Sequence, residues 1–109
     1  MANTFKLKTK ANVGVATVGI STAPAATTTV VIGITLSNTS GSGVNVGVGI
    51  TRAGTTEDVK LLKNAPIPQG SSLEFMGGNK VVLETTDTLT VDSDTTNSVD
   101  AALTIMEIT

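Results

Sequence analysis

Residues 29–51, TVVIGITLSNTSGSGVNVGVGIT, constrain this chain more than any other stretch. Val30, Ile32, Ile34 and Leu36 recur at every second position, and Val44, Val46, Val48 and Ile50 repeat the pattern after a loop of Ser, Asn, Thr and Gly. A period of two places each set on one face of a pleated strand. In the second arm the alternate positions are Asn45, Gly47, Gly49 and Thr51, so the opposite face is small or polar, and the glycines mark places where another backbone can come close. The stretch therefore reads as a hairpin with a flexible tip at Gly41, Ser42 and Gly43, forming one wall of a core.

A chain of 109 residues can bury one core and is too short for two, so the expectation is a single domain over residues 1–109 with a short N-terminal arm at about 1–12. Only 15% of residues are charged, against roughly 25% in an average domain, while Thr, Val, Gly and Ser abound, a balance that favours strands. The net charge of −2 provides no field to attract nucleic acid or an anionic membrane. The charges are unevenly placed: Lys6, Lys8, Lys10, Arg52, Lys60 and Lys63 precede Pro68, and seven of the nine acids follow it. That asymmetry suits contact between copies, or a merely solvated surface. There is no apolar run of membrane-spanning length, and residues 1–10 hold lysines without the apolar segment of a signal peptide, so neither a membrane partner nor Sec export is expected.

Further strands surround the central stretch. Residues 4–10 alternate Phe5 and Leu7 with Lys6, Lys8 and Lys10, which reads as an edge strand with a basic outer face or an arm laid on a neighbouring subunit. A short strand is expected near residues 15–21 and another at 58–63. Asn64, Pro66 and Pro68 should break regular structure over residues 64–70 and turn a corner. Residues 72–76 read as a strand with Leu73 and Phe75 inward, Gly77-Gly78-Asn79 as a tight turn, and residues 80–85 and 88–93 as strands. Val99, Ala101, Leu103 and Ile105 form a closing strand, with Met106 and Ile108 shifting parity as if after a bulge. Eight or nine strands at such spacing, without a helical period, predict an all-β fold: one antiparallel β-sandwich of jelly-roll or Ig-like type.

The chemistry is largely excluded by what the chain lacks. With no His and no Cys there is no Ser-His or Cys-His nucleophile, no common zinc site and no disulfide. No Trp or Tyr is present and Phe5 and Phe75 are the only aromatics, which removes the usual stacking platforms for sugars and single-stranded nucleic acid. Gly41-Ser42-Gly43 has Val46 where a dinucleotide fingerprint needs its third glycine. Asp92, Asp94 and Asp100 offer oxygen ligands for Ca²⁺, but Thr96 and Asn97 depart from the EF-hand pattern, which favours a solvated turn. Glu84 and Asp87 could be a carboxylate pair for glycoside chemistry, yet they flank a strand end with no sugar platform. Asn38-Thr39-Ser40 matches the glycosylation triplet, which has no meaning without a secretory route. No cofactor is expected, and elimination leaves a non-enzymatic structural or interaction module.

Several segments carry a resemblance. Residues 1–6 (MANTFK), 28–39 (TTVVIGITLSNT), 63–68 (KNAPIP), 70–74 (GSSLE) and 77–84 (GGNKVVLE), with Asp87-x-Leu89-x-Val91, Ser98-Val99-Asp100 and Glu107-Ile108, make the chain similar to small virion structural proteins of tailed bacteriophages, of cyanophage and other aquatic phage type. The resemblance implies a many-copy particle component: a capsid decoration or cement protein clamping the major capsid protein or other virion proteins from outside. It also implies a virion location after assembly in the host cytoplasm, and self-association into a homo-oligomer such as a trimer. A neck, collar or tail accessory protein anchoring a fibre is the alternative, and a cell-surface glycan-binding module a more distant one. The contact regions expected are the arm (Phe5, Lys6, Lys8, Lys10), the tip (Gly41, Ser42, Gly43) and the corner (Asn64, Pro66, Pro68).

Overall fold

A computed structural model describes residues 3–54, 56–75 and 80–109, and of Phe75 its backbone only. The described chain contains nine strands: β1 (Asn3–Val13), β2 (Val18–Thr22), β3 (Thr28–Asn38), β4 (Val44–Arg52), β5 (Glu57–Ile67), β6 (Ser72–Phe75), β7 (Val81–Leu83), β8 (Asp87–Ser93) and β9 (Val99–Ile108). The expected turn at Gly77-Gly78-Asn79 and the inward Phe75 side chain lie outside the described residues.

Two antiparallel sheets face each other as a single β-sandwich. One has the order β1-β9-β3-β6, with β7 also paired to β3 along the same edge, and the other has the order β2-β8-β4-β5. If β6 and β7 are taken as one interrupted edge strand, eight strands form two four-stranded sheets. Every step along the chain then changes sheet except β4 to β5. This is the jelly-roll arrangement rather than the Ig-like one.

That topology corrects the reading of residues 29–51. β3 pairs with β9, β6 and β7, whereas β4 pairs with β5 and β8, so the two arms do not form a hairpin. They belong to opposite walls of the core, and the loop between them crosses from one sheet to the other. Alternation along an arm does not distinguish the two arrangements, because it reports that the two faces of a strand differ and not which strand lies beside it.

The first arm also changes face midway. Val31 lies opposite Ile105 and Gly33 opposite Thr104, which leaves Ile32 as the extra residue of a bulge. Thr29 and Val31 point inward before it, and Ile34, Leu36 and Asn38 after it, while Val30 and Ile32 are half-exposed on the outer surface. The bulge thus sits in β3, not in β9. In β9, burial alternates without interruption from Val99 to Ile108, so Met106 and Ile108 stay outward and Glu107 points inward.

Val31, Ile34, Leu36, Val99, Leu103 and Ile105 from one sheet meet Val44, Val46, Val48, Leu89 and Val91 from the other, all 0–2% exposed. Each such side chain contributes about 1.5–3 kcal/mol on burial. Gly49 shows why glycine alternates with valine in β4: a Cβ there would stand 2.8 Å from the Val59 carbonyl oxygen of β5. β5 continues as a strand through Asn64 and Pro66 to Ile67, so the corner begins only at Pro68. Two local features permit this. Asn64 takes a left-handed φ of 55° where the β4–β5 register slips, and β5 is an edge strand, on which proline withholds no needed donor.

Candidate interaction surface

The outer face of the five-stranded sheet carries an apolar row. Phe5 of β1 lies opposite Met106 of β9, Met106 opposite Val30 of β3, and Val30 opposite Val82 of β7. Residues directly opposite in antiparallel strands share a face, so the four side chains cross the whole sheet in one line. Phe5 is 70% and Val82 54% exposed, and Leu7, 67% exposed, flanks the row. Half-buried Ile32 and Ile108 border it further. Isolated exposed hydrophobics need no explanation, but a contiguous strip of them marks an interaction surface.

β1 therefore has the opposite orientation from the one its sequence suggests. Lys6, Lys8 and Lys10 lie opposite Ile105, Leu103 and Ala101, which are core residues, so the lysines are on the inner side of the sheet and the apolar residues on the outer side. The arrangement is tolerable because β1 is the sheet's edge and is scarcely covered by the second sheet: of its eleven residues only Val13 is buried. Lys6 Nζ meets Glu107 Oε1 at 2.8 Å, which partners a carboxylate whose side chain is only 11% exposed. Inward lysines on an edge also discourage pairing with a like edge. The arm is thus an edge strand hydrogen-bonded to β9 of its own chain.

At the other end of the sandwich one asparagine organises the loops. Asn38, 5% exposed, donates through Nδ2 to the carbonyls of Ser42 (2.8 Å) and Ile67 (2.9 Å), and its Oδ1 accepts from the backbone N and hydroxyl of Ser40. The tip holding Gly41, Ser42 and Gly43 is consequently tied down rather than free, and it is drawn beside the corner after Ile67. The predicted tip and corner regions are brought together, with Pro68 accepting a hydrogen bond from Ser71 N. Phe5 and Lys6 stand at the far end, since β1 meets that loop end only at Val13, opposite Val99. With its amide nitrogen donated to two carbonyls, Asn38 is not presented as a glycosylation acceptor.

The candidate chemical groups are used structurally. Arg52 Nε lies 3.2 Å from both oxygens of Asp87, and its Nη2 pairs with Glu84. Asp87, 4% exposed, also accepts from Glu84 N at 3.0 Å. Hydrogen bonding to Asp87, and then to Glu84, raises the Arg52 pKa above its ordinary value. Both carboxylates of the candidate pair are thus engaged by one guanidinium and serve as its structural partners. An open groove of about 490 Å³ adjoins them, lined by Ile50, Val59 and Val82 besides these three polar residues.

Asp92, Asp94 and Asp100 do not converge. Asp92 accepts from Thr17 Oγ1 and lies 3.7 Å from Lys60 Nζ on one sheet, Asp94 accepts from Asn45 N and Thr95 Oγ1, and Asp100, on the other sheet, accepts from Asn12 N. Among the described residues no group of three or more metal-ligating side chains is assembled. Sequence reasoning missed Asn38, the Arg52 cluster and the apolar row. The Asn-x-Ser spacing hinted at the first, but the other two depend on register between strands far apart in sequence.

A small all-β sandwich with an apolar strip on one outer face is the class that fold and surface define. No protein-family model matches the sequence, and no curated protein matches it. Solved structures do share the fold. A chain from the disulfide-linked pili known as Bacillus endospore appendages aligns over 99% of this chain and 87% of its own, at 14% identity and a TM-score of 0.56. A chain from the acid-stable capsid of the Helicobacter pylori bacteriophage KHP30 aligns over 98% and 87%, at 10% identity and a TM-score of 0.58.

Proposed function

We propose that this protein is a non-enzymatic structural component of a bacteriophage virion, a capsid decoration protein that binds the outside of the shell and stabilises it. The observation that carries the reading is the exposed Phe5–Met106–Val30–Val82 row, because a free monomer gains nothing from holding such a strip in water. The fold shared with a chain of the KHP30 capsid structure supports it. The major capsid protein is the principal partner, met by the tip and corner that Asn38 holds side by side, while the arm serves self-association. Modest interfaces of this kind gain strength through multiplicity on the assembled particle.

The fold shared with a pilus chain favours a second reading, a neck, collar or tail accessory protein, since appendages too are built from repeating subunits. Quantitative mass spectrometry of purified particles separates the two. Hundreds of copies per particle are expected for the shell protein, and about a dozen or fewer would assign it to the neck or tail. Absence of the protein from particles would overturn both, and specific binding on a glycan array would support a glycan-binding module instead.

A further inference from the structure

The apolar row crosses its sheet from β1 to β7 and ends in a large side chain, Phe5, on one side and a small one, Val82, on the other, features that together select a partner. We infer that the outer face of the five-stranded sheet is the interface of a two-fold dimer, in which two copies stack face to face about an axis parallel to the strands. The inference rests on reading that face as a contact surface and adds the identity of what covers it.

Two in-plane axes can lay the row of one copy on the row of another. An axis along the row would set Phe5 on Phe5 and Val82 on Val82, stacking the largest side chains on each other and leaving the smallest facing a gap. An axis along the strands reverses the row instead. Phe5 then meets Val82 and Met106 meets Val30, so large side chains oppose small ones. The same axis superposes cross-strand rows level with each other. Thr9, Ala102, Thr35 and Glu74 form one such row, which brings Glu74 of each copy over Thr9 of the other. Glu74 is exposed on the outer face, where its carboxylate can accept from the partner's Thr9 hydroxyl, whereas Lys8 and Lys10 point to the inner side of their own sheet.

Sheets pack face to face at about 10 Å with strand directions within about 30°, a condition this axis satisfies. Four strands about 4.8 Å apart, in contact over most of their length, bury on the order of 1,000 Å² in total, the lower limit for a specific interface. The dimer is therefore concentration-dependent in solution and is reinforced where many copies are fixed on one particle.

The chain has no cysteine, so cross-linking can be directed without background. The purified protein is expected to show a monomer–dimer equilibrium by sedimentation velocity. A Phe5→Cys/Val82→Cys variant should give covalent dimers with a short bis-maleimide, and Phe5→Cys alone should not, because the two copies of residue 5 lie at opposite edges of the interface. Both positions are exposed, so folding is preserved and is checked by circular dichroism. Met106→Asp, outward-facing in the middle of the row, should weaken dimerisation about tenfold without unfolding the domain. A protein monomeric at every concentration, or Phe5→Cys cross-linking as well as the double variant, overturns the inference. Neither result bears on copy number in particles, which tests the virion role separately.

Discussion

Asn38 Nδ2 donates to the Ile67 carbonyl at 2.9 Å, which ties the last residue of β3 to the last residue of β5 and so joins the two sheets where the chain crosses between them. The same amide fastens the tip through Ser42 and Ser40. Asn38→Ala would leave buried carbonyls unpaired and should cost about 2–4 kcal/mol, read as a lower denaturation midpoint with an unchanged slope. Ser42→Ala, which keeps every backbone acceptor, should be near neutral.

The bulge in β3 makes two isoleucines two residues apart respond in opposite ways. Ile34 is 2% exposed, and Ile34→Asp should abolish folding by burying an unpaired charge. Ile32, on the outer surface, should accept Asp at a cost of less than about 1 kcal/mol. Circular dichroism of the two variants checks this; a folded Ile34→Asp protein would show that the inward face of β3 is wrongly assigned.

Thr29 is fully buried, and its hydroxyl has no hydrogen-bond partner among the described residues. Thr29→Val keeps the shape and removes the desolvated oxygen, so it should stabilise the fold by about 1 kcal/mol, raising the melting temperature by several degrees for a domain of this size. A lower melting temperature would mean that the hydroxyl is satisfied.

Gly49 stands where the β5 backbone comes close to β4. Gly49→Ala would drive a Cβ to within 2.8 Å of the Val59 carbonyl oxygen, and since backbone cannot rotate aside it should cost about 1–3 kcal/mol. Gly41→Ala has open space around it and should be tolerated, so the pair of melting curves isolates close approach from the general effect of losing a glycine.

How far the sequence could be read follows from the range of each interaction. Val44, Val46 and Val48 alternate with residues that cannot fill a core, and their inward direction was legible from those few positions alone. The same held for Val99, Ala101, Leu103 and Ile105. The direction of Phe5 and Leu7 was not legible, because alternation states that two faces differ and not which one meets the core. Near an edge that is barely covered, the apolar face can lie outward provided the lysine stems find room and Lys6 finds Glu107.

By itself the sequence determined that the protein is an all-β sandwich, that its core is aliphatic, and that nucleophiles built on His or Cys are absent, because composition and a period of two act within a few residues. The tertiary structure alone decided that residues 29–51 span both walls and that one bulge turns Val30 and Ile32 outward. It also decided that Phe5, Met106, Val30 and Val82, drawn from both ends and the middle of the chain, form a single row. Register is set by pairing between distant strands, and a slip of one residue moves every side chain to the other face. No local pattern carries that information.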